Sequence, residues 1–102
     1  MQRALALLVL AAVAGGPADI AARAGEDPHG GLPAGSGREE TFDACSACHS
    51  IKILVQQRLT REDWSEVLDD MVAEHDMPEI EEPERKRILD YLGARLGRHV
   101  PR

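Results

Sequence analysis

The sequence predicts a small all-α domain of about four short helices. Three observations point there. Apolar residues recur at helical spacing, most clearly Trp64, Val67, Leu68, Met71 and Val72 at i, i+3, i+4, i+7 and i+8. Residues that start or stop helices (Thr60, Pro83, Gly97) punctuate these stretches. No stretch alternates apolar and polar residues as a half-buried strand does, and neither an internal repeat nor a phosphate-binding glycine loop is visible.

The first 24 residues are not expected to belong to that domain. Met1-Gln2-Arg3 is a short basic region, and Ala4 to Ala14 is an uninterrupted apolar run, too short to span a bilayer. Gly15-Gly16-Pro17 breaks the run, with one A-x-A pattern before it, ending at Ala14, and one after it, ending at Ala24. This is the layout of a secretory signal peptide, with cleavage expected after Ala24. The alternative is an uncleaved membrane anchor, and membrane contact is expected through this segment only. Residues 25–37 are rich in glycine and proline and read as a flexible linker. His29 lies in it and reads as a solvated side chain.

Removing residues 1–24 leaves about 78 residues, enough for one small domain. A domain of that size rarely buries enough apolar surface alone, and this one has few aromatics: Phe42, Trp64 and Tyr91. The whole chain carries a formal net charge of −6, which argues against nucleic acid and against anionic lipid.

The domain proper is expected over 38–97. Arg38 to Ala47 should form a first helix, with Phe42 and Cys45 on one side. It runs into Cys45-Ser46-Ala47-Cys48-His49, which holds the only two cysteines. Two thiols three positions apart, followed directly by histidine, form the attachment signal of a c-type haem. The thiols can each make a thioether with one vinyl group of a porphyrin, and His49 can offer an imidazole nitrogen to the iron. Other uses of the pair are weaker. A structural zinc site needs four ligands, and His29, His75 and His99 are scattered. A thioredoxin-like redox pair expects a strand–helix setting. A plain disulfide suits an exported chain but leaves His49 without a role.

Ser50 to Leu59 reads as a second helix with Ile51, Leu54, Val55 and Leu59 inward. Thr60 should cap a third helix running to about Glu74, with Glu62 and Asp63 in the first turn, where the helix dipole favours them. His75 to Glu82 is a loop centred on Met77-Pro78. Pro83 suits the first turn of a last helix whose apolar face is Ile88, Leu89, Leu92 and Leu96, with Tyr91 at one edge and Arg85, Lys86 and Arg87 exposed near its start. Residues 98–102 form a short basic tail, expected to fray. Leu54, Trp64 and Leu68 are candidates for lining a haem pocket. One haem c would supply the core that the aromatic-poor chain lacks.

An iron held by one histidine takes a second ligand, a water or an open site. Met71, on the apolar face of the third helix, and Met77, in the loop, both follow His49 and are candidates, with His75 a further one. With this set of features, residues 38–97 resemble a small class I cytochrome c. The shared features are the Cys45–His49 motif, a Trp-bearing middle helix, a Met-Pro loop and a last helix with Tyr91-Leu92. The resemblance implies that the first and last helices cross near Phe42 and Tyr91, and that Met77 is the favoured distal ligand. Met77 lies only 28 positions after His49, so the loops around the haem are unusually short. The chain is also similar to short cytochrome subunits of periplasmic dehydrogenases, in some of which the methionine stands at the place of Met71.

What the resemblance implies is a periplasmic electron-transfer protein rather than an enzyme. It would be a one-electron carrier or a subunit that accepts electrons from a periplasmic dehydrogenase and passes them to a cytochrome or oxidase. Asp69, Asp70, Glu74, Asp76, Glu79, Glu81 and Glu82 would steer it toward a basic partner. Two other functions fit the same residues: a ligand-binding or sensor haem protein with an open sixth site, and a haem-free thiol–disulfide protein.

Overall fold

The structure, a computed structural model, describes residues 27–102. The expected signal peptide lies outside the described residues, as do Gly25 and Glu26 of the expected linker. Within them the chain forms α-helices and no strand: α1 (Arg38–Ser46), α2 (Ile51–Val55), α3 (Arg61–Glu74) and α4 (Glu84–Arg95). No helix among these residues is long and apolar enough to cross a membrane.

Local chemistry accounts for most of the boundaries. The Thr60 side chain accepts a hydrogen bond from the Asp63 amide at 3.1 Å, which caps α3. At the other end of α3 the Met71 carbonyl accepts from the His75 amide at 3.2 Å and from the Met77 amide at 3.1 Å. Asp76 takes the left-handed conformation that this return requires, with φ 56°. Pro83 occupies the position just before the first helical residue of α4, where its missing N–H forfeits no helical bond.

The second helix is shorter than its apolar spacing predicts. It stops at Val55, and Gln56 to Thr60 form a non-helical connector. Ile51, Ile53 and Val55 are β-branched and weak helix formers. The Arg58 side chain also donates to the carbonyl of the last helical residue, Val55, at 2.9 Å and to that of Gln57 beyond it at 2.7 Å. Leu59 is therefore not helical, and its amide donates to the Leu96 carbonyl at 3.1 Å instead.

The core gathers Ile51 and Leu54 from α2, Trp64 and Leu68 from α3, Ile88, Leu89, Tyr91 and Leu92 from α4, and Leu32, Met77 and Leu96 from the connecting segments. α4 is the centre of the arrangement, packed on α1 and on α3. Tyr91, expected at an edge, is buried, and its hydroxyl donates to the Pro33 carbonyl at 2.5 Å. The first and last helices pack on each other, and Tyr91 stands beside the start of the first. Phe42 packs edge-to-face with His29, ring centres 5.6 Å apart, while Tyr91 faces Pro33 and Gly37.

Residues 27–37, expected to be a flexible linker, lie on this core. The Asp27 carboxylate accepts from the amides of His29 and Gly31 at 2.8 and 3.1 Å, which turns the chain back. That turn delivers Leu32 into the core at 2% exposure. The tail is likewise held rather than frayed. The Arg58 Nε donates to the Val100 carbonyl at 3.0 Å, and Arg98 pairs with Asp63 at 3.2 Å.

Candidate functional site

The end of α1 sets the position of the cysteine pair. Its last turn carries on past Ser46, because the Cys45 carbonyl accepts from the Cys48 amide at 3.4 Å and from the His49 amide at 3.2 Å. Cys45, Cys48 and His49 thus sit on one tight turn. Cys45 is partly buried against the core; Cys48 and His49 are exposed, and both thiols are free. Burial pushes the Cys45 thiol up to about 11, and the neighbouring Cys48 adds to the effect.

Beside this turn opens a cleft of about 170 Å³, part of it open to solvent. That is smaller than the roughly 300–1,000 Å³ common for small-molecule and cofactor sites, so a large planar group would have to part its walls or extend beyond its mouth. Its lining is almost wholly apolar. Cys45 and His49 border it from the α1 turn, Leu54 from α2, Trp64, Leu68 and Met71 from α3, and Met77 from the loop. The residues proposed from sequence for the pocket or the iron therefore line one cleft, with the exceptions of Cys48 and His75, which do not line it. Met71 and Met77 approach together, joined by the hydrogen bond between the Met77 amide and the Met71 carbonyl. Met77 is 7% exposed and Met71 partly buried.

The cleft also takes in residues that sequence reading did not single out for it: Ala44, Ile53, Gln57, Leu59, Val67 and Leu92. Val67 was findable, since it lies on the stripe of Trp64 and Met71. Ile53 was not, because its position falls on the outer side of a helix as the spacing reads. Ile53 and Val67 are also the large apolar side chains left most open to water among the described residues, at 50% and 37% exposure. Both stand on the cleft wall. An apolar body in the cleft would cover them.

The indole Nε1 of Trp64 donates to the Leu96 carbonyl at 3.1 Å, in a buried bond. The same carbonyl receives the Leu59 amide, so one backbone oxygen ties two cleft-lining residues to the end of α4.

The expected acidic surface is present, with Asp69, Asp70, Glu74, Asp76, Glu79, Glu81 and Glu82 all exposed. Asp69 is partly neutralised, since Arg85 bonds it at 2.9 Å and also reaches the Ser65 hydroxyl. Arg85, expected to be exposed, is accordingly half-buried.

What the site defines is a small helical domain with one apolar cleft bordered by a thiol, an imidazole and two thioethers. Comparison with family models, with curated proteins and with solved structures finds no match to this chain.

Proposed function

We propose that this protein is a small c-type haem electron carrier of the class I cytochrome c kind, acting in the periplasm. The observation that carries the reading is the convergence of Cys45, His49, Met71 and Met77 on one apolar cleft. The donor chemistry fits the group. Thioether sulfur and imidazole nitrogen are the axial ligands of electron-carrying haems, and an apolar surround excludes water from the iron. The exposed Ile53 and Val67 fit it too, as apolar walls left to be covered.

In this reading Cys45 and Cys48 hold the porphyrin through thioethers. Cys48 is exposed beside the cleft and would have to turn inward to hold the group. His49 would offer an imidazole nitrogen to the iron and Met77, the more buried of the two methionines, a thioether sulfur, with Met71 as the alternative. Leu54, Trp64 and Leu68 pack the rest of the pocket. Bound haem supplies one-electron transfer between ferric and ferrous iron. The chain's part is to keep water out and to hold both ligands through the change of charge. A periplasmic dehydrogenase as donor and a cytochrome or oxidase as acceptor suit such a carrier, free or as a bound subunit.

The two other functions draw less support. A thiol–disulfide catalyst needs a thiol held low, whereas Cys45 is held high. A sensor with an open sixth site needs a cleft without a second ligand, and this cleft has two thioethers on its wall. The test is carbon monoxide added to the reduced, haem-loaded protein. A carrier leaves its spectrum unchanged; prompt binding would overturn the carrier in favour of the sensor.

A further inference from the structure

We propose that Arg58 is a positioning residue for the cleft, locking residues 98–102 against the α2–α3 connector and so fixing the wall made by Gln57, Leu59 and Trp64. The guanidinium is engaged by backbone carbonyls from two separate stretches of chain. Nε donates to Val100 at 3.0 Å and one terminal nitrogen to Pro101 at 3.0 Å. The other terminal nitrogen donates to Val55 at 2.9 Å and Gln57 at 2.7 Å. The side chain is half-buried, and its hydrogen-bond acceptors are these neutral oxygens.

Three features make this a lock and not a surface contact. The connector has no helical ladder of its own; it is held by these bonds, by the Gln57 amide on the Leu54 carbonyl at 2.9 Å and by the Leu59–Leu96 bond. The tail is folded back to meet Arg58 by a turn in which the Val100 amide donates to the Gly97 carbonyl at 3.0 Å. Both flanks of Arg58, Gln57 and Leu59, line the cleft, while Arg58 itself does not. Arginine suits the place because its planar fork has donors enough for all these carbonyls at once. A lysine ammonium is a single point with three donors and cannot bridge the two stretches in the same way.

The consequence for function rests on the haem reading. A loosened Gln57–Leu59 wall admits water to the cleft. Water favours the more highly charged ferric state and lowers the reduction potential. The order of the wall does not rest on that reading and can be measured on the chain without haem.

The test uses the full chain, Arg58→Gln, Arg58→Lys and a chain ended after His99. Hydrogen exchange at the Leu59 amide and the potential of the haem-loaded protein are read, with circular dichroism as the check on helix content. Losing charge-assisted bonds to the tail should speed Leu59 exchange about ten-fold or more. All three variants should do so with helix content kept, and all three should lower the potential. Arg58→Lys keeps the charge at this place, so a drop that it shares belongs to the wall and not to the lost cation. Leu59 exchange within two-fold of wild type in Arg58→Gln would overturn the proposal. So would full rescue by lysine, or a potential that moves in Arg58→Gln alone. Failure to hold haem covalently would sink the haem reading, and Leu59 exchange in the haem-free chain would still decide the role of Arg58.

Discussion

Replacing Gly37 by alanine tests how the first helix is seated on the last. Gly37 immediately precedes α1 at φ 92°, in the left-handed region that L residues avoid. A Cβ there would stand 2.6 Å from the Arg87 carbonyl oxygen and 2.9 Å from the Tyr91 Cβ. The first of these neighbours is helix backbone and cannot swing away. Two costs add: about 1–2 kcal/mol for a left-handed alanine and about 1–3 kcal/mol for overpacking a tight contact. The sum, about 2–5 kcal/mol, is a large part of the stability of a domain this small, about 3–10 kcal/mol at the usual density per residue. Urea unfolding of wild type and Gly37→Ala, followed by circular dichroism, should show a loss of unfolding free energy of that size. A variant within 1 kcal/mol of wild type would mean that α1 does not approach α4 as described.

Three further outcomes follow from the same geometry. In the haem-loaded protein, Met77→Ala should abolish the methionine–iron charge-transfer band while Met71→Ala keeps it; the reverse result would move the ligand to Met71, and loss in neither would remove methionine ligation altogether. Association with a basic redox partner should slow as salt is raised, because the exposed carboxylates from Asp70 to Glu82 act at long range; rates that ignore salt would discard electrostatic steering. Asp90 is held below the usual carboxylate range, first by its hydrogen bond from Lys86 at 2.5 Å and then by Arg61. Its contribution to stability is therefore present above the unfolded-state pKa and is lost as pH falls through the lowered folded-state value. Asp90→Asn should flatten that part of the acid unfolding profile, and an unchanged profile would show that Asp90 is not linked to folding.

The helices that pack by regular spacing were legible. The cap at Thr60, the inner stripe of α3 and the buried face of α4 all follow from period and from end signals, which are local properties. The misses share another cause. Leu59 fits a helical stripe, but its amide goes to Leu96, a bond no local pattern announces. Glycines in 27–37 look like flexibility, yet Gly37 is needed for close approach to α4, and Asp27 turns its stretch into an ordered cap. Pro33 and Tyr91 are 58 positions apart, and only folding brings them together. At the site, the residue types with distinctive chemistry stood out from sequence. The plain apolar wall of Ile53, Leu59 and Leu92 did not, because nothing in an isoleucine or leucine says which cavity it faces.

The central claim is that Cys45 and Cys48 are the attachment points of one haem. It is tested most directly by producing the full chain together with the haem-attachment machinery and weighing it intact after complete denaturation. The account predicts a chain heavier by one haem, with the added mass lost when both cysteines are changed to serine. A denatured chain at its bare polypeptide mass, with two titratable thiols, would contradict it.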